Sequence, residues 1–197
     1  MTRITLKKRA LETLRHANIG RINFQYGRLH VYPHQFARIA ELIEADHISY
    51  RSANGNHYDP TPERGQRHYI GVHSSLGRDE NGTLVAVNPF LPSSRGTIVH
   101  EACHATHDYQ RVTVRHGDSI LPRQFEGAAT LAGWMTALLW GFDQAPSPQT
   151  DTMRLAAEKA RLVLDGTIGP RIDADTVREL DAAVATGSAN MYVFNGT

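Results

Sequence analysis

Apolar residues recur at helical spacing along most of this chain, broken by two short stretches of alternation. In residues 5–18, Leu6, Ala10 and Leu11 interleave with Lys7, Lys8 and Arg9, which predicts an amphipathic helix closed by Gly20. Residues 22–31 alternate loosely around Tyr26-Gly27 and predict a hairpin. Residues 33–45 begin with Pro33 and repeat Phe36, Ile39, Ala40 and Ile43, the signature of a second helix. Residues 52–66 read as a polar loop, because Asn54-Gly55, Asp59-Pro60, Thr61-Pro62 and Arg64-Gly65 all mark turns. Strands are expected over residues 68–74 and 83–87, joined as a hairpin across Arg78-Asp79-Glu80-Asn81-Gly82.

Helices then dominate. One is expected over residues 96–110 and another over residues 122–142, with residues 112–121 as linker. Residues 144–149 carry two prolines and form a loop. Amphipathic helices follow over residues 152–164 and 174–185, separated by Gly166, Gly169 and Pro170. Residues 191–194 suit a terminal strand. The fold class expected is α+β: a small antiparallel sheet followed by a helical C-terminal half. At 197 residues the chain reads as one domain, 1–197, with a helix/strand part over 1–94 and a helical part over 95–197.

Charge changes this picture little. The formal net charge is +1, so bulk electrostatics predict no nucleic-acid partner and no anionic-membrane partner. The basic start, Arg3 to Arg9, reads as a solvated helix face. Residues 127–142 carry no charge, yet they are shorter than the ~20 residues a membrane span needs and include three glycines. A central buried helix is expected there, with Trp134 and Trp140 in the core. No signal-peptide pattern opens the chain, so a cytoplasmic origin is expected, with export only by a route that needs no cleavable signal. The single cysteine, Cys103, allows no intrachain disulfide.

The chemistry concentrates in His100-Glu101-Ala102-Cys103-His104, an H-E-x-x-H sequence inside an apolar helix. Residues four apart share a helix face, so both imidazoles reach one metal ion. Glu101 sits beside that ion and is placed to take a proton from water. Zn²⁺ suits imidazole ligands and lowers the pKa of bound water from about 15.7 to about 7. Cys103 points away from the axis between the two histidines and reads as a small packing residue. His107 shares their face but lies a further turn along, ~4.5 Å beyond His104 on a straight helix. Asp108 has the same difficulty. Both are expected as a polar helix end or as groups behind the ligands.

Glu126 is the better third ligand. It is a lone carboxylate at the start of the next apolar helix. Glu126, Thr130, Gly133 and Ala137 follow i, i+4, i+7, i+11 spacing, and the last three are small enough to let another helix approach. Packed on the motif helix, Glu126 completes a His₂Glu set with one open position, as catalytic zinc requires.

H-E-x-x-H followed by a glutamate on a second helix resembles the gluzincin metallopeptidases, in particular the compact, minimal members of that group. The resemblance covers residues 83–139. It implies a zincin-like fold, with a small antiparallel sheet packed on the H-E-x-x-H helix. It also implies one Zn²⁺ per chain held by His100, His104 and Glu126, with Glu101 as general base. The function implied is a zinc metallopeptidase, a hydrolase of peptide or protein substrates. A strand beside the motif helix, residues 68–74 or 83–87, would hold extended substrate by backbone pairing. The chain departs from the pattern at one place. Thermolysin-like members carry E-x-x-x-D, whose aspartate orients the first histidine, and here that position is Thr130. The group behind His100 is therefore unassigned.

Three other readings are weighed. Peptide deformylases share H-E-x-x-H but take a cysteine ligand upstream of it, and this chain has none there. A non-catalytic zincin-like binding protein would hold a structural metal with a fourth protein ligand. A bacterial effector or toxin domain would keep the hydrolase chemistry and add a cognate inhibitor protein as partner. Tyr109, His116 and Tyr192 are the residue types suited to stabilising an oxyanion.

Overall fold

The computed structural model describes residues 6–53, 57–59, 68–73, 76–78, 84–86, 92–113, 122–141 and 151–187. The expected strand over residues 191–194 lies outside them, as does the expected linker over residues 112–121 apart from its first two residues, which belong to a helix. The described elements run α1 (Leu6–Leu14), a 3₁₀ turn (Ala17–Arg21), β1 (Phe24–Tyr26), β2 (Leu29–Val31), α2 (Pro33–Glu44), β3 (Ile48–Ala53), β4 (His57–Asp59), β5 (His68–His73), β6 (Leu76–Arg78), β7 (Leu84–Ala86), α3 (Pro92–Thr113), α4 (Pro122–Leu139), α5 (Asp151–Leu164), β8 (Arg171–Ile172) and α6 (Ala174–Gly187).

Local chemistry sets many of these boundaries. Helices α2, α3 and α4 each begin on proline, whose fixed φ suits a first turn and whose missing N–H is not needed there. Helix α2 stops where Asp46 takes a left-handed φ of 58°, a conformation that short polar side chains tolerate. Gly27, also at φ 58°, begins the two-residue turn that pairs Tyr26 with Leu29. Asp173 caps α6, accepting from the Thr176 backbone N–H at 2.8 Å and from its hydroxyl at 2.7 Å. Helix α1 is shorter than its pattern suggests. It ends at Leu14, and His16 caps the separate 3₁₀ turn that contains Gly20.

The class is α+β, mostly helical, but the strands do not make one antiparallel sheet. They form β2-β1-β8, β3-β5-β4 and the β6-β7 hairpin. Two pairings are parallel, β1 with β8 and β3 with β5. The hairpin expected between residues 68–74 and 83–87 is therefore replaced. Strand β7 pairs with β6, while β5 lies between β3 and β4. The stretch expected as a polar loop over residues 52–66 contains β4. Strand β8, two residues long, brings the C-terminal half back onto β1, so the two parts of the chain share a sheet.

A single cluster of buried side chains runs from Ala10 on α1 to Leu180 on α6. Helix α4 is its axis, with Ala128, Ala129, Leu131, Ala132, Trp134, Met135 and Ala137 all buried. Helices α3, α5 and α6 pack around it, and the hairpin β1–β2 covers its start. No helix among the described residues is long and apolar enough to cross a membrane. Two core expectations need correction. Trp140 is only partly buried, and it stacks with His16 at 4.8 Å and under the Arg95 guanidinium at 5.0 Å. Arg9 leaves the solvated face and is buried, because that side of α1 packs on α3.

Candidate metal centre

The two long helices that meet most extensively, α3 and α4, carry all the candidate ligands. They meet through glycine. A Cβ placed on Gly96 would lie 2.7 Å from the Gly133 carbonyl oxygen, and one on Gly133 would lie 3.3 Å from the His100 Cβ. At that separation a short carboxylate side chain on one helix reaches the imidazoles on the other.

It does so here. The Nε2 atoms of His100 and His104 lie 3.2 Å apart. The Glu126 carboxylate spans them, with Oε1 3.3 Å from His104 Nε2 and Oε2 3.6 Å from His100 Nε2. These three side chains form a group able to hold a metal ion. The fit is quantitative. Ligand atoms ~2.0–2.1 Å from a tetrahedral Zn²⁺ lie roughly 3.3–3.4 Å from one another, which is the scale of the separations seen. Two imidazole nitrogens at this distance can share a proton in a hydrogen bond or can both face one metal ion.

Electrostatics point the same way. Burial opposes charge on His100, yet hydrogen bonding to Glu126 and the negative field of Glu101 and Glu126 hold its pKa above the ordinary imidazole range. Burial likewise opposes charge on Glu126, but the two imidazoles outweigh it and hold its pKa well below the ordinary carboxylate range. The site is arranged to keep a carboxylate ionised beside a shared positive charge.

Exposure gives the group a direction. The side chains of His100 and Glu101 are 7% and 1% exposed, whereas His104 and Glu126 are 18% and 28% exposed. The cluster therefore opens to solvent past His104 and Glu126. Glu101 Oε1 lies 4.0 Å from His100 Nε2, and the residue stands outside the group of three. It is a buried carboxylate beside the ligands rather than one of them.

No family model, curated protein or solved structure matches the chain. The reading of the site thus rests on its own geometry.

The remaining candidates separate clearly. Helix α3 continues unbroken to Thr113, so His107 is carried past the cluster. It is not a polar helix end. It is 2% exposed, its ring nitrogens lie 3.9 and 4.0 Å from the Cys103 sulfur, and its ring packs on Phe125 at 5.3 Å. Cys103 is fully buried, and burial pushes its thiol pKa strongly upward, with Glu126 adding to the shift. That suits a packing residue and not a thiolate ligand. The side chains of Asp108, Tyr109, His116 and Tyr192 lie outside the described residues.

The partner behind His100 is one that sequence reasoning missed. It is the backbone carbonyl of Ala129, which accepts a hydrogen bond from the His100 ring. Thr130, the residue at the corresponding family position, has a buried hydroxyl that makes no hydrogen bond among the described residues. A backbone acceptor has no signature in a sequence, so no pattern would have revealed it. Of the two strands expected to hold substrate, β5 has neighbours on both sides, while β7 pairs with β6 alone among the described residues, in a separate hairpin. The edge strand beside α3 is β4.

Proposed function

We propose that the protein is a zinc-dependent hydrolase of the gluzincin type, most simply a metallopeptidase. The observation that carries this reading is the convergence of His100, His104 and Glu126 within 3.6 Å of one another, with Glu101 buried alongside but outside the group. Three ligands with a glutamate beside them and outside the ligand group are what hydrolytic zinc chemistry uses. A closed structural site would spend a fourth protein ligand, and none joins the group among the described residues.

His100, His104 and Glu126 would hold the ion, which supplies a Lewis acid able to acidify water and polarise a carbonyl. Glu101 takes one proton from the water that attacks the scissile carbonyl carbon. It returns that proton to the departing amine nitrogen as the C–N bond breaks. The Ala129 carbonyl fixes the His100 ring, and the buried side of the pocket keeps bulk water from Glu101. An extended peptide lying along the open side would meet β4, which is an edge strand among the described residues.

The test is direct. Purified protein should contain about one zinc per chain. It should cleave unfolded protein or a mixed peptide library, lose that activity to a chelator and regain it with Zn²⁺. Folded protein that holds no metal, or metal-loaded protein with no hydrolytic activity on any peptide, ester or amide, would overturn the proposal.

A further inference from the structure

The α3–α4 contact leaves one problem unsolved. Its closest approach is at Gly133, two turns of helix away from Glu126. Glu126 itself lies only five residues into α4, near an end of the helix where backbone N–H groups lack intrahelical partners. Something else must fix the first turn of α4 if its carboxylate is to meet two imidazoles.

That turn is gripped from a second side, about 100° round the helix from Glu126. Tyr26 on β1 is fully buried, and its hydroxyl donates to Asp181 Oδ1 on α6 at 2.8 Å. The Val177 carbonyl lies 3.2 Å from the same hydroxyl. Asp181 is itself buried, and its Oδ2 lies 3.9 Å from Arg123 Nε in the first turn of α4. The pair presses against Gly127, the residue that follows Glu126. A Cβ at Gly127 would run into the Tyr26 hydroxyl, 2.7 Å from Tyr26 Cζ and 3.1 Å from Asp181 Oδ1. Gln124 meets the hairpin as well, since a Cβ on Gly27 would lie 3.7 Å from its Nε2. Strand β1, helix α6 and the first turn of α4 are thus joined at one buried hydrogen bond beside the ligand.

We infer that Tyr26 and Asp181 are positioning residues for Glu126: their hydrogen bond, seated on Gly127, sets where the third ligand stands. This rests on the metal-site reading given above and extends it to two residues far from α3 in sequence. It also gives the C-terminal β8–α6 segment a role in the site that it does not touch. A buried tyrosine–aspartate pair suits the task because it is directional and cannot exchange its partner for water. Groups hydrogen-bonded directly to a ligand typically govern metal affinity by about 10–100-fold, and this pair, acting through the neighbouring Gly127, is expected at the lower end.

The test uses the full-length chain loaded with Co²⁺, whose visible absorption reports ligand number and geometry. Affinity is read by competition with a chelator, and thermal unfolding of the metal-free protein is read in parallel. Tyr26→Phe removes only the hydroxyl. It should unfold cooperatively, bind Co²⁺ roughly tenfold more weakly and show an altered visible band. Asp181→Asn keeps an oxygen acceptor for Tyr26 and should bind as the wild type does. If Tyr26→Phe does not fold, Asp181→Ala against Asp181→Asn carries the same contrast, with loss expected for alanine alone. A residue that merely supports the fold would lower the melting temperature and leave affinity and spectrum unchanged, and that result overturns the inference. Equal weakening by Tyr26→Phe and Asp181→Asn would also overturn it, because charge and not the hydrogen bond would then be at work. A wild-type chain whose Co²⁺ signal matches that of His100→Ala has no such site, and both the metal reading and this one fall together.

Discussion

Gly96 and Gly133 touch backbone to backbone: a Cβ on Gly96 would sit 2.7 Å from the Gly133 carbonyl oxygen, and one on Gly133 would sit 3.0 Å from that of Gly96. This contact brings Glu126 within reach of both imidazoles. Helices with ordinary side chains at the crossing pack 8–10 Å apart according to the residues between them. Glycine on both sides brings the axes to the near end of that range. His100, one turn along from Gly96, then faces α4 directly.

Substitution at this crossing should therefore cost the site before it costs the chain. Gly→Ala inside a helix normally stabilises, by about 1 kcal/mol. Gly20→Ala, in the 3₁₀ turn and with nothing within 4 Å, is the reference for an alanine that meets no neighbour. Gly96→Ala meets a backbone oxygen that cannot move aside, and it should destabilise and weaken metal binding. Gly133→Leu should do both more severely, by the ~1–3 kcal/mol typical of an overpacked core. Thermal unfolding with metal titration on the three variants checks this. Gly96→Ala behaving like Gly20→Ala would show that the helices have room to separate.

Much of this was legible in the sequence, for reasons that can be named. The helices carry proline starts and unbroken apolar spacing, and both are local properties. The convergence of His100, His104 and Glu126 into a group able to hold a metal was legible too, because the two histidines share one helix face and Glu126 stands alone on a face of small residues. What could not be read was pairing at a distance. Alternation marks β5 as a strand but does not say that β3 lies parallel beside it. Strand β8 is two residues long and exists only because β1 is there to pair with it. Arg9 sits among Lys7 and Lys8 and shows its buried position only once α1 is packed on α3. Tyr26 and Asp181 meet across most of the chain, and the Ala129 carbonyl belongs to a residue with no side-chain chemistry.

Glu126 and His107 are separated by a simple contrast. Glu126→Gln keeps the shape and removes the charge shared with both imidazoles, so metal affinity should fall steeply. His107→Ala should leave affinity nearly unchanged and instead lose stability, by roughly 1–3 kcal/mol, because a buried ring against Cys103 and Phe125 is removed. Chelator competition and thermal unfolding on the same two proteins distinguish the effects. A His107→Ala protein that loses its metal while Glu126→Gln keeps it would reverse the assignment.

The metal-free protein should show a specific dependence on pH. Glu126 has a folded pKa below its ordinary 4.5, so its contribution to stability is present above that value and is lost as pH falls through the folded pKa. His100 has a folded pKa above its ordinary 6.5, so its contribution is full below that value and is lost as pH rises through the folded pKa. The Glu126–His100 interaction is therefore complete between these two ordinary values and fades on both sides. The difference in melting temperature between wild type and Glu126→Gln, measured without metal, should peak in that window. Metal affinity should move the other way with His100, rising as pH increases, because proton and metal compete for Nε2. A melting difference independent of pH would mean that the two groups are not coupled.

Glu101 provides the sharpest separation of chemistry from structure. Its side chain is buried and adjacent to His100, but it is not among the three groups that converge. Glutamine has nearly the same shape, so Glu101→Gln should fold and should retain its zinc. It cannot accept the proton of an attacking water, so turnover should fall by about 10²-fold or more, within the range expected for loss of a general base. The loss should appear in kcat, because the proposed mechanism gives Glu101 a part in proton transfer and none in binding substrate. Zinc content, melting temperature and peptide hydrolysis measured on one preparation settle the point. Loss of zinc in parallel with activity would make Glu101 a ligand or a support for one. Retained turnover would place the base elsewhere in the pocket.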